Sequence, residues 1–511
     1  MPEKNTHTAN LPEAYAALKA SLEENRAILD SLFEDVDIMR HRVFENAQNP
    51  SLQFCVYFSD GVSDSVLIGE QIIKPLILAQ SLPTDPQKLY QAVRNHVEFI
   101  GDMQESADME EIVESITYGD TLLLVAGAPQ GLILSSKNFV LRGVAEPEVE
   151  KVLSGPREGF NEGIMINLSM LRRRLRTHQL KLKMNSLGRQ SKTAVCIAYM
   201  DNIVNRDILA ELERRLETIE IDGVLDAEYI SEFIAEKSAL GFPTIGATER
   251  PDVVAGRLLE GRIALFTDGS PVVLTLPYLF LENFQSSEDY YTGNRYASYS
   301  RILRMLSFLG TVTVPALFIA IVAFHHEMLP AGLMLNFTAA RQNVPLPAVV
   351  ECFVLLLLFD ILREAGVRSP GFVGQAVGFV GGIILGQAAV EAHLIAAPMV
   401  IVVAFAGITI IIVPRVATAS LMARYSFLLA ASILGLTGLT LAIGIFAIHV
   451  LNLQSFGVSA LTSSGKLGLQ SVGDSFVRAP WPKLRHRLTP LSGNKTRSKP
   501  PESPPTTGGK P

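Results

Sequence analysis

Residues 371–391 read GFVGQAVGFVGGIILGQAAVE, and the rest of the chain is read from this stretch. Its first 20 residues carry no charge, enough to cross a hydrocarbon core at about 1.5 Å per residue. Gly374, Gly378, Gly382 and Gly386 recur every fourth residue and make one side-chain-free stripe. Val373, Val377, Val380, Ile384, Gln387 and Glu391 make a second stripe. At about 100° per residue the two stripes lie on opposite sides of a helix. A glycine stripe lets another helix backbone approach closely. The opposite face is left free and ends in an amide and a carboxylate, which suit a polar cavity better than lipid. The pattern predicts a packed helix whose other side faces a pathway. The plainer reading is a glycine-packed helix with Glu391 resting at the membrane surface.

Outward from this stretch, charge is unevenly spread. Charges are frequent before residue 304, sparse from Met305 to Gly465, and mainly positive after that. With 48% hydrophobic residues in 511, the chain is too apolar for disorder and reads as half soluble, half membrane. A net charge of −7 argues against a general affinity for nucleic acid. Cys55, Cys196 and Cys352 sit far apart in apolar runs, without metal-ligand spacing, and read as buried free thiols in a reducing compartment. The N-terminus is polar and has no signal-peptide core, so the soluble region is expected on the cytoplasmic side.

The expected fold is an α+β soluble region of two small α/β subdomains, followed by an all-α polytopic membrane domain of four to five helices. Residues 1–49 read as a helical segment, with a helix over 12–46. A first α/β subdomain covers 50–153, with strands at 52–58, 121–126 and 131–134. The second covers 154–277, with a strand at 194–200 and a hairpin at 262–277 turning on Asp268-Gly269-Ser270. No sequence repeat stands out between them. In LRRRLR (171–176) the arginines spread around a helix and read as a solvated face, or as a contact with a neighbouring subunit or lipid headgroups. Residues 278–304 form a juxtamembrane linker rich in Tyr and Arg, as a membrane interface prefers.

The transmembrane region spans 305–450, with segments at 305–324, 345–362, 371–391, 394–413 and 426–450. The second contains Glu351 and Asp360, and Arg363 can pair with Asp360 one turn away. His325, His326 and Glu327 read as interfacial polar residues, since HEMLP is not a zinc-binding HExxH; no metal site or cofactor is expected. The tail, 451–511, is basic and expected to be disordered after about 490. Five spans put it outside; with the tail inside, the second segment does not cross. There is no P-loop, no GxGxxG after a strand and no GxSxG elbow. That moves the reading from enzyme toward channel, transporter or receptor subunit.

GPREGFNE, NLSMLRRRLR, GRIALFTDGSP, PYLFLENFQSSEDYY, FHHEMLP, FDILREAGVRSP, GQAVGFVGGIILGQAAVEA and VPRV occur in that order from residue 155 onward. Together they resemble the A-subunit family of spore germinant receptors, the GerA family of endospore-forming bacteria. The resemblance covers about residues 50–480; the Pro-rich end departs from it. It implies a multi-pass protein of the inner spore membrane with its soluble subdomains on the cytoplasmic side. It also implies B and C subunits as partners, and a homo-oligomeric ring that conducts ions when a nutrient binds. A paralogous branch, the sporulation stage V proteins acting beside the receptors, remains open. In a ring, Val373, Val377, Val380 and Ile384 would form an apolar gate that closes by dewetting, with Gln387 and Glu391 as a cation-attracting mouth. The alternatives are a secondary transporter using Glu351, Asp360 and Glu391, and a non-conducting scaffold.

Overall fold

The computed structural model describes residues 17–96, 102–138, 154–368, 386–461 and 474–484, with short pieces at 147, 150, 152, 381–382, 487, 491–493 and 496–497. Its contacts form two units. One comprises Met1–Ile234, Ile245–Pro277 and Arg487–Ser498; the other comprises Ala235–Thr244, Tyr278–His486 and Lys499–Pro511.

The first unit holds two five-stranded sheets. Strands β1 (Met39–Glu45), β2 (Gln53–Ser59), β3 (Met103–Ser106), β4 (Thr121–Val125) and β5 (Gly131–Leu134) are ordered β1-β2-β4-β5-β3. Strands β6 (Leu180–Leu187), β7 (Thr193–Met200), β8 (Gly246–Thr248), β9 (Ile263–Thr267) and β10 (Val273–Leu276) are ordered β6-β7-β9-β10-β8. Every ladder is antiparallel, which makes the class α+β. Helices α1 (Leu22–Leu32), α2 (Pro86–His96), α3 (Met109–Thr117), α4 (Ile164–Arg174), α5 (Arg206–Glu217), α6 (Ala227–Ile234) and α7 (Pro251–Leu259) accompany the sheets.

The two strand orders are the same, so the unit is an internal duplication. The repeat that does not stand out in sequence becomes legible once the strands are superposed by order. GDTLLLVAGAPQGLIL (119–134) runs in register with GRIALFTDGSPVVLTL (261–276). Gly119 and Gly261 share positive φ, 99° and 95°, and so do the turn glycines Gly127 and Gly269, 84° and 83°. Only glycine takes such angles without a steric cost. Cys55 and Cys196 occupy matching places on β2 and β7, and nine positions later Asp64 and Asn205 each cap a helix with a side-chain oxygen.

The alternation of strand side chains decides the packing. Phe54, Val56, Leu123 and Val125 face one way, into a core with Ile68, Leu76 and Val93. Cys55, Tyr57, Leu122 and Leu124 face the other way, into a core that continues through α1, α3, α4 and α7 to Leu182, Cys196, Ala198 and Phe266. The two halves therefore share one core. Burial pushes the Cys55 thiol up to about 12 and raises Cys196 further, which leaves both as neutral apolar side chains.

Two expectations change here. The helix over 12–46 ends at Leu32, and residues 39–45 form β1, because pairing with β2 satisfies that backbone as a sheet edge. The arginines of 171–176 are not a solvated face. Arg172 is fully buried and donates to the carbonyls of Thr177 and Leu180 at 2.8 and 2.9 Å. Arg173 and Arg174 clasp Glu158 of the GPREGFNE segment. Arg176 stacks over the Tyr118 ring, 3.4 Å from its centroid. The run caps a helix end and ties loops together, work that charge counting does not reveal.

The second unit is helical: α8 (Asn294–Phe324), α9 (Ala331–Arg341), α10 (Ala348–Arg368), α11 (Ala397–Ile411) and α12 (Ala417–Asn452). Among the described residues, two helices are long and apolar enough to cross a membrane, Asn294–Phe324 and Pro414–Asn452, with mean hydropathies of 2.2 and 2.1. The second is not one straight rod. Gly435 has φ 61° and ψ −139°, non-helical angles inside α12. In a straight helix Phe427 and Phe446 would stand about 28 Å apart; their ring centroids are 5.6 Å apart, edge to face. The helix is a hairpin with legs before and after Gly435, where the sequence reading has one crossing over 426–450. Hydropathy misses the fold-back because both legs are apolar and only the glycine's backbone marks it.

Candidate functional site

The sequence places the site on residues 371–391. Val373, Val377, Val380, Ile384, Gly374 and Gly378 lie outside the described residues. Gly386 packs against α11, where a Cβ would meet Val400 Cγ1 at 3.3 Å, while Gly382 has nothing within 4 Å. Gln387 and Glu391 sit one turn apart on the same helical face, both exposed, and Gln387 Nε2 donates to Glu391 Oε1 at 2.9 Å. The chain presents an exposed carboxylate braced by an amide, a group that attracts cations.

The other carboxylates named from sequence are used within the helical unit. Glu351 is fully buried near the start of α10. Its Oε1 accepts from Ala396 N at 2.5 Å, and its Oε2 lies 3.4 Å from Arg341 Nη1. It thus serves a backbone N–H at the start of α11, where helices leave donors unpaired. Asp360 Oδ2 accepts from Arg424 Nη2 at 2.6 Å and from Tyr425 Oη at 2.7 Å, linking α10 to α12. The Tyr425 ring stacks on Phe353, centroids 6.0 Å apart. Asp360 reaches across to a neighbouring helix rather than to Arg363, one turn along its own. Arg424 is fully buried, and a charge removed from water holds its counter-ion more tightly than the half-exposed Arg363 can.

A second ionic cluster sits where α8 begins. Sequence reading missed it by taking the Tyr and Arg there as membrane-surface residues. Tyr296 and Tyr299 are exposed, but Arg301 is fully buried. Arg301 Nε donates to Asp289 at 2.9 Å and its Nη1 to Asp474 at 3.1 Å. Arg304 donates to both oxygens of Asp289 at 3.0 Å, and Tyr290 donates to Asp474 at 3.1 Å. Arg478 lies over the Tyr290 and Trp481 rings. The tail segment 474–484 is therefore clasped against the start of α8. The available signal was the pair of acids, Asp289 and Asp474, in otherwise cationic or polar stretches. At the other end of α8, His326 lies 3.7 Å from Glu327, both exposed.

Residues 27–489 match the family model described as Bacillus/Clostridium GerA spore germination protein. The chain is 35% identical over 472 residues to the uncharacterized membrane protein YfkQ of Bacillus subtilis, covering 92% of this chain and 91% of that one. It is 36% identical over 442 residues to spore germination protein KA of Bacillus subtilis, covering 86% and 81%. Among solved structures, it is 30% identical to the N-terminal domain of the A subunit of the Bacillus megaterium spore germinant receptor GerK3. That match covers 52% of this chain and 98% of that domain, with a TM-score of 0.41.

Proposed function

The chain belongs to the Bacillus/Clostridium GerA spore germination protein family, and from that premise we propose that it is the A subunit of a nutrient germinant receptor in the inner spore membrane. It acts in germination by assembling with copies of itself into a ring that opens as a cation channel, beside B and C subunits. The observation that carries this reading is the family match across residues 27–489. Helix 371–391 lines the hole: Gly386 packs on α11, and the Gln387–Glu391 pair is left exposed by the single chain. Val373, Val377, Val380 and Ile384 form the gate, which closes by dewetting. Against a transporter, Glu351 and Asp360 are engaged in ties between helices, so neither is free to carry a coupling ion.

The contacts of the helical unit support a multi-pass arrangement with an even number of crossings. Thr311 bonds Thr409 at 2.8 Å, so α11 returns along α8. Arg415, before α12, donates to the Gln285 carbonyl at 3.1 Å, and Phe280 N donates to the Ala460 carbonyl at 2.9 Å, after it. Both ends of the α12 hairpin thus meet the segment leading into α8, and contacts of this length do not form across a bilayer. The tail lies on the same side as residues 278–301.

The test is single-channel recording in planar bilayers, first of the purified chain and then of the complete receptor with its nutrient. Val380→Ala raises the open probability several-fold, and Glu391→Gln lowers the preference for cations. A complete receptor that conducts identically with either substitution refutes this lining face. One that passes no current makes the chain a scaffold.

A further inference from the structure

The duplication exposes a socket filled in two different ways. In the first half, the chain continues past β5 and lies back along the loop after β2. Lys137 bridges Ser63, and Asn138 N donates to the Val62 carbonyl at 2.8 Å, beside Gly119. In the second half, the chain leaves at Pro277 after β10, so no local residues can do the same. Yet the matching contacts are made. Ser492 bridges Val204, and Gly493 N donates to the Ile203 carbonyl at 2.8 Å. Gly261, the counterpart of Gly119, lies so close beneath that a Cβ would meet the Leu491 carbonyl at 2.9 Å. The occupant comes from the far end of the sequence.

We propose that the loop Ile203–Val204 and the turn Leu259–Gly261 form a peptide-docking site, whose ligand is this chain's own C-terminal segment, held through Arg487, Leu491–Gly493 and Arg497. The ligand's chemistry is legible. Leu491 is its buried anchor, 1% exposed. Ser492 is small enough to pass over Gly261, and Gly493 to lie against the Ile203 and Val204 carbonyls. Two arginines flank them: Arg487 Nε donates to the Leu259 carbonyl at 2.6 Å, and Arg497 pairs with the Glu260 carboxylate. Arg487 Nη1 also holds the Thr496 carbonyl at 2.6 Å, closing the segment on itself. Main-chain pairing supplies affinity, and the leucine with its flanking cations supplies selectivity, as in strand-addition recognition. Leu491–Gly493, which the sequence places at the start of a disordered tail, are bound.

Two measurements test this. In the full chain carrying Val204→Cys and Ser492→Cys, mild oxidation gives a cross-link within one chain, seen as a mobility shift without dimer. Absence of a cross-link overturns the docking, and a cross-linked dimer moves the tail to a second copy and overturns the intrachain assignment. A labelled peptide of residues 487–498 is then titrated, by fluorescence anisotropy, onto the detergent-solubilised chain ending at His486 and onto the full chain. The shortened chain binds it saturably, the Leu491→Asp peptide binds at least about tenfold more weakly, and the full chain binds neither because its own tail occupies the site. Equal binding of both peptides to the shortened chain, or equal binding of the wild-type peptide to both chains, overturns the proposal.

Discussion

The two halves of the first unit share a strand order, a helix order and the angles of their key glycines, yet they are finished differently. The first covers the loop after β2 with residues adjacent in sequence; the second covers the matching loop after β7 with residues from the other end of the chain. The difference teaches that a duplicated fold keeps its backbone requirements even when the chain no longer supplies them locally. A buried loop leaves backbone N–H and C=O groups in need of partners, and something must supply them.

The largest effects test whether the halves share a core or merely touch. Leu124 on β4 and Phe266 on β9 are matched positions in one continuous cluster. Phe266→Ala is expected to cost about 3–5 kcal/mol and Leu124→Ala about 2–5 kcal/mol. Hydrogen exchange should then accelerate in both sheets with either substitution. Acceleration confined to the mutated sheet breaks the shared core.

Smaller effects separate the two coverings. Gly119→Ala and Gly261→Ala each force a non-glycine residue to positive φ, costing about 1–2 kcal/mol. At Gly261 the new methyl also collides with the docked tail. Deleting the residues after His486 should therefore lessen the penalty at Gly261 and leave that at Gly119 unchanged, by thermal unfolding of the detergent-solubilised chain. Equal penalties with and without the tail erase the difference between the halves.

The smallest effects are electrostatic and opposite in sign. Burial raises Glu158, but the guanidiniums of Arg173 and Arg174 outweigh it and hold the carboxyl below its ordinary 4.5. Its contribution is present above that value and is lost as pH falls through the lower, folded value. Burial raises Asp120 above its ordinary 3.8, with Lys137 only partly opposing at 3.0 Å. Ionising it in the folded state costs stability, which returns as pH falls through its raised value. Glu158→Gln should cost about 1 kcal/mol at neutral pH and flatten the acid-side loss. Asp120→Asn should remove the acid-side gain. Stability curves from pH 3 to 7 check both, and slopes of the same sign refute the assignment.

Strands β2, β4, β5, β7, β9 and β10 are legible in the sequence because they are short apolar runs bounded by turn residues. Strand β1 is not, since MRHRVFE at a sheet edge has mostly exposed side chains and its preceding residues are helical. The repeat is hidden because side chains diverge wherever packing allows it, while the glycines and helix caps persist where the backbone demands them. At the candidate site, the periodic stripes and the exposed Gln387–Glu391 pair are local features and readable. The partners of Glu351 and Asp360 are not, because Ala396 and Arg424 come from other helices.

The sequence alone established an α/β region followed by apolar helices, the spacing of its glycines between 374 and 386 and, through motifs quoted residue by residue, the resemblance to the family. These depend on residues within a few turns of one another. Tertiary structure decided the common core of the two halves, the fold-back at Gly435, the clasp on Asp474 and the docking of Leu491. Each joins residues that are not neighbours along the chain, and each is settled by burial: apolar side chains, a guanidinium, a carboxylate or a loop carbonyl taken from water must find a partner wherever the chain brings one.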